Sequence, residues 1–291
     1  MRNLKMWRRI SQIVSALIIN SHWPSLFGRK IYQGNLKGFC VPGLNCYSCP
    51  LAVTSCPMGS LQNILAQIRP NIEVGKYYIG LYVIGTLGVV GSAVGRMACG
   101  WICPFGALQD LLYKIPSRKI EIPRFLNYFK YVVLLMMVII LPLFAVDAFG
   151  YGRVWFCKYL CPAGTLEAGI PMTSLDPALR SQMGLQFWSK VAILVFFILL
   201  MIPVKRPFCR TTCPLGAVYA LFNRFSILRL SVSSKCIKCN QCYKVCPMSI
   251  KIYENPDNKD CIRCMDCIKV CPVDAISYEI AGRRIGSSES F

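Results

Sequence analysis

Cys236-Ile-Lys-Cys239-Asn-Gln-Cys242-Tyr-Lys-Val-Cys246-Pro247 is followed by Cys261-Ile-Arg-Cys264-Met-Asp-Cys267-Ile-Lys-Val-Cys271-Pro272. Both runs read C-x2-C-x2-C-x3-C-P. In that spacing three close thiolates hold one four-iron cube and the fourth crosses to the other. Cys236, Cys239, Cys242 and Cys271 are therefore expected to hold one [4Fe–4S] cluster. Cys261, Cys264, Cys267 and Cys246 are expected to hold the second. A zinc site takes four thiolates in two pairs and would leave cysteines over. Disulfides fit poorly, because i, i+3, i+6 thiols in a short loop do not pair off. Two clusters so placed make the C-terminal module, residues 231–291, a small α+β bacterial-type ferredoxin domain.

The 230 residues before it have a different composition. Hydrophobic residues make up 55% of the chain and charged residues 16%, against about 25% charged in ordinary globular domains. A bilayer crossing takes about 20 apolar residues as helix. Four stretches approach this: Ile10–Phe27, Tyr77–Ala98, Tyr131–Phe149 with Pro142 as an expected kink, and Phe187–Val204. The expectation is an integral membrane all-α domain of four transmembrane helices spanning 1–230. Gly91-x3-Gly95 suits close helix packing there.

The net charge of +20 first suggests nucleic acid. With the N-terminus inside, however, segments 1–9, 99–130 and 205–291 hold 23 of the 33 Lys and Arg residues. That is the positive-inside pattern. The charge then records orientation in the cytoplasmic (inner) membrane, multi-pass with both termini cytoplasmic, and nucleic-acid binding is not expected. Arg8-Arg9 precedes a weak apolar segment with no small-residue cleavage site, which reads as a retained anchor.

Seven of the ten further cysteines fall into an internal repeat. Cys56-Pro-Met-Gly59, Cys103-Pro-Phe-Gly106, Cys161-Pro-Ala-Gly164 and Cys213-Pro-Leu-Gly216 each precede a helix-like apolar run. Three carry a second cysteine four residues earlier: Cys99, Cys157 and Cys209. The chain reads as two halves, each with one element outside and one inside, and such a repeat predicts paired sites. Proline fits the first helical turn, so each cysteine is expected at a helix N-terminus, where free N–H groups favour a thiolate. Cys99, Cys103, Cys209 and Cys213 are a candidate third cluster on the inner side. Outside, Cys56, Cys157 and Cys161 need a fourth thiol, since the repeat position is Ala52. Cys40, Cys46 and Cys49 are available, and Cys49 is taken. The competing reading pairs the outer cysteines as disulfides.

Cys-Gly-Trp-Ile-Cys-Pro-Phe-Gly (99–106), Cys-Arg-Thr-Thr-Cys-Pro-Leu-Gly (209–216) and the double ferredoxin motif together resemble the NapH-type membrane polyferredoxins. That family includes quinol dehydrogenase membrane components and the membrane domain of NosR-type proteins. The resemblance runs from about residue 75 to the end. It implies four helices, cytoplasmic termini and an electron-transfer subunit of an oxidoreductase within a membrane complex.

Other chemistries find little support. His22 is the single histidine, so a haem held by two histidines of one chain is excluded. No dinucleotide or Walker motif appears. Asp147 and Glu167 are candidate proton carriers beside a quinol site, or solvated carboxylates at a membrane edge. Arg96 could pair with a cluster or mark that edge. Lys238, Lys244, Arg263 and Lys269 lie between ferredoxin ligands, where cations raise a cluster's potential; alternatively they continue the positive-inside bias. The expected function is one-electron transfer between a cytoplasmic donor or the quinone pool and a partner redox protein. The alternatives are a membrane thiol–disulfide or metal-reducing enzyme using the outer cysteines, or a redox-sensing maturation factor.

Overall fold

The computed structural model describes residues 3–25, 31–75 and 80–286. The N-terminal part is helical. In chain order come α1 (Asn3–Ile19), α2 (Pro57–Glu73), α3 (Leu81–Val94), α4 (Met97–Trp101), α5 (Pro104–Leu112) and α6 (Arg124–Phe144). They are followed by α7 (Phe156–Leu160), α8 (162–175), α9 (Pro177–Ser181), α10 (Leu185–Met201), α11 (Pro207–Thr211) and α12 (Pro214–Phe222).

Proline opens α2, α5, α8 and α12, and the preceding cysteine caps each of them. The four capping cysteines have nearly the same backbone, φ between −67° and −76° and ψ between 107° and 126°. The geometry follows from the residues. Proline cannot donate but needs no partner at that position, and its ring pushes the residue before it into extended backbone.

Among the described residues, α6 alone is long and apolar enough to cross a membrane, with mean hydropathy 2.0. The other expected spans are shorter. α3 has 14 residues because Gly95 turns left-handed at φ +57° and ends it. α10 has 17. α1 ends at Ile19, and its Arg8 is buried in ion pairs. Residues 26–27 and 77–79 of the first two expected spans lie outside the described residues. In α6 the turns widen over Leu134–Ile140, just ahead of Pro142. A wider turn accommodates a proline that lacks the N–H of the regular ladder.

The C-terminal domain is a three-stranded antiparallel sheet in the order β1 (Leu228–Val232), β2 (Ile276–Ile280), β3 (Arg283–Gly286). It carries two short helices, α13 (Gln241–Val245) and α14 (Asp266–Lys269). Its first strand begins at Leu228, ahead of the boundary expected at 231. The two cysteine runs fold alike. Lys238 and Arg263, Asn240 and Met265, and Ser249 and Asp274 occupy matching positions and all take positive φ. Strain repeated at equivalent ligand loops belongs to the site rather than to chance.

This domain packs directly on the helical part. Ile262 and Cys264 share one buried core with Cys99, Cys103 and Cys213. A Cβ on Gly100 would lie 2.8 Å from the Ile262 carbonyl oxygen, so the two backbones touch. The Trp101 indole donates to the Arg263 carbonyl at 3.1 Å. Asp260 accepts from both Arg96 and Lys130. All three side chains are largely withdrawn from solvent. Removing one partner of such a buried pair costs about 3–5 kcal/mol, so the docking is specific.

Candidate functional site

In the C-terminal domain, Cys242, Cys246, Cys261, Cys264 and Cys267 line one small internal cavity with Met248, Ile262 and Met265. Burial, then charge on Cys246, pushes the Cys261 thiol up to about 11. Cys236 and Cys239 lie beside Cys242, where burial, the protein's largest effect on that thiol, and then these neighbours raise it. Cys271 packs on the same small core as Cys242. Backbone N–H groups donate to Cys246 Sγ from Ile250 at 3.5 Å and to Cys271 Sγ from Ala275 at 3.2 Å. Cys239 is exposed, whereas the Cys246 set faces the helical part.

Cys99, Cys103, Cys209 and Cys213 come together from α4, α5, α11 and α12, all buried. Burial, then Cys209 and Cys99, raises the Cys103 thiol, and the same causes raise Cys213. Two arginines tie the halves together crosswise. Arg96 Nη2 donates to the Cys209 carbonyl and Arg206 Nη1 to the Cys99 carbonyl, each at 3.0 Å. Each arginine stands three residues before the first cysteine of its own pair. The motif glycine leaves room for this crossing. A Cβ on Gly216 would meet the Arg96 guanidinium at 2.8 Å, and one on Gly106 the Cys99 carbonyl at 2.8 Å. Arg206 is held by Asp110 through Nε at 2.7 Å and Nη2 at 2.5 Å.

Four of the six remaining thiols, Cys46, Cys56, Cys157 and Cys161, line a cavity of about 420 Å³. Cys46 stands where Cys49 was expected. Cys49 lies in the turn that follows, its N–H bonded to the Cys46 carbonyl and its thiol 3.8 Å from Asn20 Oδ1. Cys40 lies beside Ser55 and Ser60 instead. Burial, then Glu167, pushes the Cys46 thiol up to about 12. No disulfide joins any of the eighteen cysteines.

The two sites are neighbours. Gly43–Cys46 runs between them: a Cβ on Gly43 would lie 3.2 Å from Cys103 Cα. Burial raises the Cys103 and Cys56 thiols, and the Leu44 backbone beside Cys103 and the Asn45 backbone beside Cys56 oppose it. Tyr219, 1% exposed, packs in the same core. Burial, then charge at Cys99, Cys56 and Cys103, drives its phenol well above the ordinary range. One side chain thus feels both thiol sets.

The sixth residue after three of the four capping cysteines hydrogen-bonds across to a partner element. Gln109 Nε2 donates to Cys209 Sγ at 2.9 Å and Gln62 Nε2 to Cys157 Sγ at 3.2 Å. Glu167 accepts the Cys46 N–H at 2.6 Å, and Tyr219 occupies the fourth such position. Loss of solvent raises the Glu167 carboxyl to about 7, opposed by that N–H. The repeat alignment carries this offset and the arginine offset, and either could have been read there. Of the other residues considered, Arg263 turns away from the ferredoxin ligands to hold Val94 and Asn223 carbonyls, both at 2.8 Å. Asp147 accepts the Phe149 and Tyr151 N–H groups of its own loop. His22 stacks on Tyr32.

These residues fit iron–sulfur clusters. Four buried thiols on one cavity cannot all ionise together without a cationic core, and N–H donors already point at Cys161 and Cys213 sulfurs, from Gly164 at 3.3 Å and Gly216 at 3.4 Å. Among the described residues no group of three or more Cys, His, Asp or Glu side chains is arranged to hold a single metal ion. Thiolates bonded to the corners of a cube stand farther apart than ligands of one ion.

The comparisons with known proteins agree with this chemistry. A 4Fe-4S binding domain model matches residues 78–123, 130–170 and 186–232, and a 4Fe-4S dicluster domain model matches 229–272. The chain is 34% identical to uncharacterized protein MJ0750 of Methanocaldococcus jannaschii over 73% of this chain and 82% of the relative. It is 27% identical to the ferredoxin-type protein NapH of Haemophilus influenzae, over 83% and 74%. It is 26% identical to the methylamine utilization ferredoxin-type protein MauN of Methylorubrum extorquens, over 84% and 76%. No solved structure matches. Cysteine-capped helices over a two-run ferredoxin domain define an iron–sulfur electron-transfer protein. The chain belongs to the NapH-type family of 4Fe–4S ferredoxin-like proteins.

Proposed function

We propose that the chain is a membrane-bound relay carrying four [4Fe–4S] clusters in series. The ligand sets are Cys236, Cys239, Cys242 and Cys271; Cys246, Cys261, Cys264 and Cys267; Cys99, Cys103, Cys209 and Cys213; and Cys46, Cys56, Cys157 and Cys161. Bound clusters supply one-electron carriers at each place. The observation that carries the reading is the single buried core in which Cys264, Cys99, Cys103, Cys213, Cys56 and Cys161 all lie. Because the Cys99 and Cys46 sites share this core, an electron passing between them need not cross a bilayer about 30 Å thick in one step. The protein's own residues exclude water, supply N–H donors to sulfur and place arginine charge beside the thiols.

Membrane attachment is supported by the outward faces of α3, α6 and α10. Leu81, Val89, Phe144, Leu185 and Leu199 are each at least 60% exposed, an apolar surface of the kind that meets lipid. Lys and Arg distribution supports a reading with both termini on the cytoplasmic side. Cys239, at the exposed end, would face a cytoplasmic donor or acceptor, with the quinone pool as the other candidate source. The thiol–disulfide alternative is weakened by buried thiols raised in pKa, since a thiolate is the reactive form.

Reductive titration of anaerobically purified full chain, followed by low-temperature magnetic resonance, tests this. The relay requires each cluster to accept one electron and neighbouring spins to couple. Iron that stays silent throughout the titration would contradict it.

A further inference from the structure

A second cavity, of about 280 Å³, opens where the first turn of α6 meets residues 248–260 of the ferredoxin domain. Its wall includes Arg210, 3% exposed, whose Nε has no hydrogen-bond partner. Among the described residues no carboxylate forms an ion pair with Arg210. Asp260, also on the wall, is committed to Arg96 and Lys130, and Glu254 to Lys251. The one side-chain hydrogen bond of the Arg210 guanidinium among the described residues is a long one, 3.5 Å to Ser249 Oγ, and Asp260 and Cys246 act on it only at longer range. Arg124 and Lys259 complete a cationic rim. A buried guanidinium without an anion is expensive, and a planar five-donor fork matches phosphate.

The geometry points to a binding site for a phosphate-bearing group, held by Arg210 at the floor and by Arg124 and Lys259 at the rim. Two sources share that chemistry: an acidic phospholipid headgroup and a free phosphate compound. The position suits a lipid headgroup. Phe125 and Phe129, next to Arg124, are at least half exposed at the start of the apolar α6. Asn127 Oδ1 lines the same cavity without a partner and would accept from a hydroxyl of the ligand. The site is independent of how many clusters are bound. It adjoins them, however, since Arg210 follows Cys209 in the chain.

The test uses full chain with its iron in nonionic detergent. Inorganic phosphate is titrated by calorimetry, and retained phosphatidylglycerol is compared with phosphatidylcholine by mass measurement of the intact protein. Saturable phosphate binding is expected, weakened about tenfold by Arg124→Gln and by Lys259→Gln, with iron content unchanged. Phosphatidylglycerol retained in preference and displaced by phosphate identifies lipid as the source; phosphate binding without lipid preference identifies a soluble compound. If Arg210→Gln fails to fold, the two rim variants carry the test. The competing role for Arg210, offsetting thiolate charge alone, predicts no saturable binding of either probe. That result, or binding indifferent to the rim variants, overturns the site.

Discussion

Gln109 Nε2 lies 2.9 Å from Cys209 Sγ, bridging one cysteine-capped helix to the thiol pair of another. Gln62 makes the same bridge to Cys157 at 3.2 Å. Donors to a ligand sulfur stabilise the more negative, reduced state. Gln109→Leu should therefore lower the potential of the Cys99/Cys103/Cys209/Cys213 centre by on the order of 50 mV, equivalent to roughly 1 kcal/mol. Iron content should be retained. Gln62→Leu should move only the other centre. Potentiometric titration of both variants distinguishes the two effects.

Cys46 and Cys49 separate cleanly. Cys46 lines the outer cavity and Cys49 does not. Cys46→Ser should remove about four irons per chain, one cube's worth, whereas Cys49→Ser should leave the iron content intact. Iron analysis of the two purified variants gives the answer.

The choice between them shows what the sequence could and could not say. The crossed ferredoxin spacing is local, and in the fold Cys246 lines one cavity with Cys261, Cys264 and Cys267, and Cys242 lines it too. The Cys-Pro-x-Gly repeat is also local, because proline at a helix start dictates the cap. The fourth outer ligand is not local. It depends on the path of Gly43–Cys46 between two sites, which only packing against Cys103 and Cys56 defines. Helix length is not local either. Apolar composition continues to Ala98, but Gly95 and the buried Arg96 turn the chain inward to the thiols.

Asp260 holds two buried cations at the junction of the domains. Asp260→Asn should destabilise the protein by about 3–5 kcal/mol by leaving Arg96 and Lys130 uncompensated. Glu254→Gln, which breaks the more exposed pair with Lys251, should cost less than about 1 kcal/mol. Thermal unfolding of both variants in one detergent measures the contrast.

Asp110 supplies a pH dependence of known sign. Burial opposes its ionisation, yet Arg206 and Arg8 beside it hold the carboxyl below the usual range. A depressed folded pKa gives stability that is present above the unfolded value, about 3.9, and is lost as pH falls through the folded one. The difference in melting temperature between the native chain and Asp110→Asn should be largest near neutral pH. It should shrink only below about pH 4. A difference that narrows already between pH 8 and 6 would assign the effect to another group.

Iron and acid-labile sulfide per chain, measured on anaerobically prepared protein, test the central claim most directly. Four thiol sets predict about sixteen of each, falling by about four in Cys99→Ser. About eight of each, unchanged in that variant, would contradict the account and leave only the ferredoxin domain as a cluster carrier.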